Sequence, residues 1–118
     1  MKSSFYFRFS ELIKTDTKLK NCPSTMEQIA NILELAKTLQ QIRVVCGFPV
    51  IVNSAFRTPE VNSLVNGVPN SKHLDGLAAD LSASSLDFPR LCDVCKSFRD
   101  LNLLSEFKLY SNYIHIAI

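Results

Sequence analysis

The longest regular element that this sequence predicts is a helix that begins near Ser24 and ends at Gly47. Ser24 and Glu27 have the spacing of a capping box, with Ser24 as the N-cap and Glu27 reaching back from the third helical position. Gly47 suits the left-handed residue that ends many helices, and Pro49 follows it. The chain has 118 residues and no internal repeat or linker, so we expect one domain over residues 1–118.

One face of this helix carries apolar side chains at helical spacing, and we expect that face to lie in the core rather than to bind a partner. The predicted core positions are Met26, Ile29, Leu33, Ala36 and Leu39.

Residues 1–22 are predicted to form an irregular N-terminal arm. Ser10 can cap a short helical turn within the arm, and the side chains of Phe5, Phe7 and Phe9 offer an apolar strip that can pack on the body of the protein.

The rest of the sequence alternates short apolar or β-branched runs with helical patterns. Helices are predicted near Asp87 and from Thr58 to about Asn66, with Pro59 in the first helical position. Strands are predicted over 50–54, 77–81, 106–110 and 113–118, the last two being joined by a two-residue turn at Ser111 and Asn112. This order of elements predicts the α+β class, with a small, mostly antiparallel sheet packed by helices.

Charge and hydropathy exclude several classes of protein. Thirteen Lys and Arg against eleven Asp and Glu give a net charge of +2, which indicates no basic surface for nucleic acid. No run of about 18 apolar residues predicts a membrane span, and Arg8 interrupts the short apolar N-terminus, which argues against a secretory signal peptide. We therefore expect a protein that is made in the cytoplasm and has no nucleic-acid or membrane partner. We also expect it to be a monomer.

Cysteines are the first metal or redox candidates in the chain, at positions Cys22, Cys46, Cys92 and Cys95. Cys92 and Cys95 form a C-x-x-C, but no second pair completes a structural zinc site. The pair also falls inside a helical pattern rather than at the strand-to-helix turn of a thioredoxin-like site. The core face of that helix is predicted to comprise Leu91, Val94, Cys95 and Phe98. We expect reduced cysteines that pack in the core.

Two histidines, His73 and His115, lie in or beside strand-like segments, and Asp80 follows His73 by seven residues. Imidazoles with one carboxylate are a ligand set of catalytic zinc, which leaves a fourth position for water. The three side chains can converge if Gly76 turns the chain tightly and if His115 lies on a neighbouring strand. The alternative is an exposed loop histidine, a strand-end carboxylate and a sheet histidine with unrelated partners.

The segment Ser71-x-His73-x-x-Gly76-x-Ala78-x-Asp80 resembles the S-x-H-x-x-G-x-A-x-D signature of the zinc D-Ala-D-Ala metallopeptidases. Residues 53–62 are similar to that family's S-G-Y-R-S-P-x-x-N stretch, and residues 113–116 resemble its closing W-x-H-V element. The family includes D,D-carboxypeptidases, D,D-dipeptidases and phage endolysins that cut L-Ala-D-Glu bonds, and it has a hedgehog-like zinc fold. The resemblance covers nearly the whole chain, with the motifs in the family's order.

This resemblance implies a role for each matching residue. The implied zinc ligands are His73, Asp80 and His115. Arg57 falls where the family's arginine stabilises the developing oxyanion, with a surface salt bridge to Glu60 as the alternative. Ser71 falls where the family's serine contacts substrate, and capping of the turn over 70–73 is the alternative.

The general base departs from the family pattern. Well-studied members have Glu or Asp three residues before the last histidine, where this chain has Asn112. In a hairpin with a two-residue turn, Lys108 pairs with His115 and Glu106 pairs with Ala117, which puts Glu106 on the same face as His115. Glu106 is therefore either a substitute base or an exposed edge-strand charge.

A second and weaker candidate for the base is Asp75, which is close to His73 in sequence. The resemblance implies hydrolysis, with Zn²⁺ as cofactor, of an amide bond in the peptide stem of peptidoglycan. It also implies a phage-type product that is held in the bacterial cytoplasm or in a virion and acts at the cell wall after release. The alternative, which Asn112 favours, is a non-catalytic zinc-containing wall-binding module, since hedgehog domains hold zinc on this fold without clear hydrolysis.

Overall fold

Four antiparallel strands form one sheet in the order β1-β2-β4-β3. The structure is a computed structural model, and it describes residues 6–118. The strands are β1 (Ile51–Ser54), β2 (Ala78–Ser82), β3 (Glu106–Leu109) and β4 (Ile114–Ala117). The helices are α1 (Phe9–Leu12), α2 (Met26–Cys46), α3 (Pro59–Leu64) and α4 (Phe88–Asp100), with a 3₁₀ helix at Lys72–Asp75. The predicted α+β class is confirmed.

The two inner strands, β2 and β4, are the best-buried parts of the sheet. Ala78, Ala79 and Leu81 of β2 are fully buried, as are Ile114 and Ile116 of β4. Because β2 is buried, a carboxylate at Asp80, in the middle of this strand, needs specific partners.

The hairpin of β3 and β4 has the predicted register. Lys108 lies opposite His115, and Glu106 lies opposite Ala117. The N–H of Tyr110 donates to the carbonyl of Tyr113 over 2.9 Å and closes the two-residue turn. The turn length fixes the register, and for that reason the sequence predicts which side chains share a face.

The start of α2 differs from the prediction by one residue. Thr25, not Ser24, is the N-cap, and its hydroxyl accepts from the N–H of Gln28 over 3.1 Å. The Gln28 side chain accepts in return from the N–H of Thr25. Both registers satisfy the sequence rule of a capping box, and Gln28 has a further contact with the carbonyl of Leu74 that favours the observed one. The predicted end at Gly47, with φ +76°, is confirmed.

The predicted core face of α2 is wrong in phase. Met26 and Leu33 are exposed, at 79% and 52%, whereas Leu39 is buried as expected. The buried face comprises Ile32, Leu35, Leu39 and Ile42. The helix carries apolar side chains on several sides, so more than one apolar stripe fits its sequence, and the packing of the sheet and α4 selects one.

The helix α4 packs on this core through the predicted face. Leu91, Val94, Cys95 and Phe98 are buried. All four cysteines are free thiols, and Cys95 is buried in the core as expected. Cys22 is exposed, which corrects the prediction for that thiol, because it lies in the arm ahead of α2 rather than on a core-facing helix.

The N-terminal arm packs on the body through Phe7 and Leu12, whereas Phe9 is 39% exposed. The prediction for Phe5 lies outside the described residues. Ser10 lies inside α1 rather than at its N-cap, which is Arg8, because the helix starts two residues earlier than a cap at Ser10 would allow.

A buried asparagine ties the arm to the segment after β1. Asn21 donates through Nδ2 to the carbonyls of Ile13 and Phe56, over 2.9 and 2.8 Å, and accepts from the N–H of Thr58. These three bonds hold both sides of Arg57, so the arm contributes to the site. Within residues 6–118, no helix has the combination of length and apolar character that crossing a bilayer requires.

Candidate metal centre

Three separate elements bring His73, Asp80 and His115 together. His73 comes from the 3₁₀ helix, Asp80 from β2 and His115 from β4, and one ligand atom of each lies within 4.8 Å of the others. Asp80 Oδ1 is 3.2 Å from His73 Nε2 and 3.0 Å from His115 Nδ1. Asp80 and His115 are direct partners in the β2–β4 ladder. The sheet therefore sets one side of the cluster and the 3₁₀ helix the other.

The turn before β2 places His73. Ser71 caps the 3₁₀ helix by accepting from the N–H of His73 over 3.1 Å. Gly76 ends that helix with φ +79°, a conformation that a side chain disfavours. A Cβ at Gly76 would also lie 2.8 Å from Ile32 Cγ1, so the absence of a side chain lets the turn pack directly on α2. The tight turn that the sequence requires at Gly76 is thus present.

The hydrogen bonds of His73 define its tautomer. Its Nδ1 bonds the backbone carbonyl of Ala55, which can only accept, so Nδ1 must carry a proton. In a neutral ring, Nε2 then carries no proton, and its lone pair faces Asp80 Oδ1, which lies 3.2 Å from Nε2. Two acceptors at this distance repel each other unless a proton or a metal ion lies between them. A metal ion would satisfy both, and the carbonyl would act as the outer partner that orients a metal-binding histidine.

The ring of His115 also has an acceptor beside each nitrogen, and here both acceptors are carboxylates. Its Nε2 lies 2.9 Å from Glu106 Oε1, and its Nδ1 lies 3.0 Å from Asp80 Oδ1. A neutral imidazole has one N–H and can donate to one of the two. If Nε2 donates to Glu106, the lone pair of Nδ1 faces Asp80 and is available to a metal. The donor set thus fits a cation with nitrogen and oxygen ligands, such as Zn²⁺.

These contacts perturb the ionisation of the cluster. Burial acts to raise the pKa of Asp80, but hydrogen bonds with His115 and His73 outweigh it and place the pKa well below its ordinary value. The hydrogen bond with Asp80 raises the pKa of His115, against burial, and the bond with Glu106 adds to this. The hydrogen bond with His115 lowers the pKa of Glu106. Both carboxylates are therefore ionised at neutral pH.

Arg57 completes the inner side of the cluster. Its Nη2 donates to Asp80 Oδ2 over 3.2 Å, its Nε to Ser54 Oγ over 3.0 Å and its Nη1 to Asn62 Oδ1 over 3.2 Å. The ion pair with Asp80 replaces the surface salt bridge with Glu60 that was the alternative from sequence. Since a guanidinium has five N–H groups, two remain after these three bonds.

A cleft of about 570 Å³ opens over the cluster. Lys72, Lys108, Tyr110 and Tyr113 line it beside the metal-binding candidates, and the two tyrosine rings stack with centroids 4.5 Å apart. Lys72 Nζ donates to Ser105 Oγ over 2.8 Å. The cleft thus combines cationic groups with one aromatic wall, and the positive charges favour an anionic or polar ligand.

The other predicted site residues have distinct positions. Ser71 lines the cleft, and its capping bond is the alternative considered from sequence. Glu106 also lines the cleft, so it is not an isolated edge-strand charge. Asp75 is exposed and is not among the described residues that line the cleft, which corrects its nomination as a base. Asn112 is exposed in the hairpin turn, also outside the lining.

Sequence reasoning missed two residues that build the site. Asn62 is 3% exposed and holds Arg57, and Ala55 orients His73 through its backbone carbonyl. Asn62 lies in the segment 53–62 that resembles a family motif, so the sequence marked this position but did not indicate that Asn62 contacts Arg57. A backbone carbonyl leaves no signal in a sequence, because every residue has one.

Comparison with known proteins agrees with this geometry. The family model described as Peptidase M15 matches residues 5–117. A curated relative, the zinc D-Ala-D-Ala carboxypeptidase of Streptomyces albus G, is 34% identical over 90 residues, which are 75% of this chain and 35% of the relative. The chain therefore spans about a third of the length of that relative. A family match over almost all of the chain establishes the relationship: the chain belongs to the peptidase M15 family.

Proposed function

We propose that this protein is a zinc-dependent peptidase that hydrolyses an amide bond in the peptide stem of peptidoglycan. The observation that carries the proposal is the cluster of His73, Asp80 and His115, in which two ring nitrogens lie 3.0–3.2 Å from one carboxylate oxygen on one side of an open cleft. Membership of the peptidase M15 family supports the reaction class. The name of the relative, a zinc D-Ala-D-Ala carboxypeptidase, supports the metal and the substrate class.

The metal would be held by His73 Nε2, Asp80 Oδ1 and His115 Nδ1, three protein ligands that leave room for water or substrate. When bound, Zn²⁺ lowers the pKa of water and polarises a carbonyl group. Ala55 and Glu106 would keep the two imidazoles in the tautomers that this binding needs.

Arg57 has two tasks in this proposal. Its Nη2 holds Asp80 through Oδ2, which leaves Oδ1 for the metal. Its two remaining N–H groups are available to the oxygen of the scissile carbonyl, on which negative charge develops during hydrolysis. Because the guanidinium stays charged at every working pH, it provides this stabilisation without a proton transfer.

Glu106 is the proposed proton acceptor. Among the described residues that line the cleft, it is the one carboxylate besides Asp80. Its Oε1 accepts from His115, so Oε2 would take the proton from the attacking water, directly or through one bridging water, and pass it to the leaving amine. Ser71 is proposed to donate its hydroxyl proton to the substrate while its lone pair caps the 3₁₀ helix.

The finer parts of the proposal are a phage or prophage origin and action at the cell wall after release. They derive from the sequence resemblance. A non-catalytic zinc module is the rival, and the observation that favours it is Asn112 in the position of the family's usual base.

Digestion of purified peptidoglycan by the zinc-loaded protein tests the proposal. Mass spectrometry of the soluble products should show a released D-Ala or a shortened stem peptide, and the product identifies the bond. The matched control is Asp80→Ala, which should release nothing. A wild-type protein with one bound zinc and no product would favour the non-catalytic rival.

A further inference from the structure

Asn62 is a buried polar side chain whose amide is used at both ends. It lies in α3 and is 3% exposed. Its Nδ2 donates to the carbonyl of Val68 over 2.9 Å, and its Oδ1 accepts from Arg57 Nη1 over 3.2 Å. Burying an amide is unfavourable unless its hydrogen bonds are made, so these two partners fix the orientation of the group.

The loop that follows α3 closes over this amide. The N–H of Gly67 donates to the backbone carbonyl of Asn62 over 2.8 Å. A Cβ built on Gly67 would lie 2.0 Å from Asn62 Oδ1 and 3.0 Å from Arg57 Nη1. No side chain fits at position 67 without moving the contact between Asn62 and Arg57. The glycine is therefore required by close approach to that contact.

Three groups around Arg57 fix the plane of its guanidinium. Ser54 accepts from Nε, Asn62 from Nη1 and Asp80 from Nη2. A planar fork that is held by three different acceptors has little freedom to turn. Asp80 is itself a candidate metal ligand, so an independent anchor on Nη1 is what prevents the guanidinium from following every movement of that carboxylate.

We propose that Asn62 is a positioning residue that aims Arg57 at the metal site, and that Gly67 leaves the space that this requires. Asn62 keeps Nη2 on Asp80 Oδ2 and keeps the remaining N–H groups of Arg57 directed for use in the cleft. The effect on turnover rests on the function proposed above, whereas the effect on Arg57 and on Asp80 does not.

Three variants separate this role from simple structural support. Asn62→Leu removes the acceptor for Arg57, and Gly67→Ala displaces it. Asn62→Asp keeps an acceptor for Arg57 but loses the N–H group that donates to the carbonyl of Val68. If Asn62 acts through Arg57, the Leu and Ala variants should share one phenotype, and the Asp variant should recover site function despite a lower Tm.

Two measurements require no catalysis. Hydrogen exchange at Arg57 Nε–H, followed by NMR, should accelerate about tenfold in Asn62→Leu and Gly67→Ala and stay within about threefold of wild type in Asn62→Asp. The Kd for zinc should rise about fivefold in the first two variants, less than for loss of a direct partner of a ligand. With a cleavable stem peptide, kcat should fall about tenfold while KM changes less than about threefold.

Epistasis and a stability control complete the test. In an Arg57→Lys background, Asn62→Leu should alter the zinc Kd by less than about twofold, because the guanidinium through which Asn62 acts is already absent. Val61→Ala, at a buried neighbour in α3 that is 2% exposed, should lower Tm without changing either zinc affinity or Arg57 exchange.

The inference is overturned if Asn62→Leu and Asn62→Asp are equally impaired, or if Asn62→Leu leaves Arg57 exchange unchanged. Full additivity with Arg57→Lys would overturn it as well. A wild-type protein that cleaves no stem peptide would refute the proposed function alone, because exchange at Arg57 would still report on Asn62.

Discussion

Asp80 and His115 face each other across the β2–β4 ladder, and Asp80 Oδ1 lies 3.0 Å from His115 Nδ1. Directly opposed residues of an antiparallel pair have Cβ atoms about 5 Å apart, which suits two ligands of one metal ion. Two candidate ligands thus come from the most regular part of the fold. The third, His73, comes from a turn that Gly76 and Ser71 hold in place.

Removal of the metal should lower the stability of wild type and leave a ligand variant unaffected. A ligand that binds only the folded state at 100 times its Kd stabilises it by about 2.7 kcal/mol. We expect a chelator to lower the Tm of the zinc-loaded wild type by several degrees and to have no effect on His115→Ala. Differential scanning calorimetry with and without chelator measures both, and an equal response of the two proteins would contradict the site.

Glu106→Gln should separate proton transfer from metal binding. The glutamine oxygen can still accept from His115 Nε2, so zinc affinity should stay within about threefold of wild type, while loss of the base should lower kcat about 10²-fold or more. Zinc titration and stem-peptide turnover give the two numbers. Glu60→Gln, an exposed glutamate in α3, is the matched control and should retain activity. Full activity of Glu106→Gln would mean that another group accepts the proton.

Arg57→Lys should retain the charge beside Asp80 and lose the fork of donors. A lysine ammonium cannot reach Ser54, Asn62 and Asp80 in the geometry of a planar guanidinium. We expect kcat to fall about 10²-fold, the effect of losing one oxyanion donor, with a smaller change in KM.

The Arg57→Ala variant should be less stable than the Arg57→Lys variant. It leaves Asp80, whose side chain is 12% exposed, without its cationic partner. Loss of one member of a buried ion pair costs about 3–5 kcal/mol. Equal Tm values for the two variants would show that the ion pair contributes nothing to folding.

Gly76→Ala and Gly47→Ala form a matched pair. Both glycines have positive φ, +79° and +76°, and an alanine in that conformation costs about 1–2 kcal/mol. A Cβ at Gly47 meets nothing within 4 Å, whereas a Cβ at Gly76 lies 2.8 Å from Ile32 Cγ1 and 3.1 Å from the Gln28 carbonyl. Gly76→Ala should therefore cost about 2 kcal/mol more, from overpacking.

Zinc affinity should distinguish the same two variants. The turn that ends at Gly76 carries His73, so Gly76→Ala should weaken zinc binding, while Gly47→Ala should leave it unchanged. Urea unfolding and zinc titration test the pair, and equal losses in both variants would contradict a role for close packing at Gly76.

Cys95 should make stability depend on alkaline pH. Burial raises its pKa from 9.0 to about 12. In the unfolded chain the thiol ionises near 9.0, while the folded chain keeps it protonated, so its contribution is complete below pH 9 and is lost as pH rises toward 12. The difference in unfolding free energy between wild type and Cys95→Ala should shrink by about 1 kcal/mol per pH unit above 9.

Alkylation provides an independent check on the same thiol. In the native protein at pH 8, iodoacetamide should modify the exposed Cys22 and leave Cys95 unmodified, as mapped by mass spectrometry. Modification of Cys95 at the same rate as in urea would contradict its burial.

Local rules predicted the elements whose formation depends on neighbours in sequence. The helix end at Gly47, the cap of α3 at Thr58 and the pairing of Lys108 with His115 are each present. The predicted core face of α2 was wrong because a helix with several apolar sides has no unique buried face before its packing partners are known. The N-cap moved by one residue because Gln28 also contacts Leu74, 46 positions along the chain.

The sequence by itself determined the identity and order of His73, Asp80 and His115, the antiparallel hairpin and the family, since motifs and turn lengths are local properties. Only the tertiary structure decided that Arg57 bonds Asp80 and Asn62, that Ala55 orients His73, and that Glu106 bonds His115. These contacts join residues up to 23 positions apart or involve backbone atoms, and their geometry exists only once the sheet, the turn and α3 have packed together.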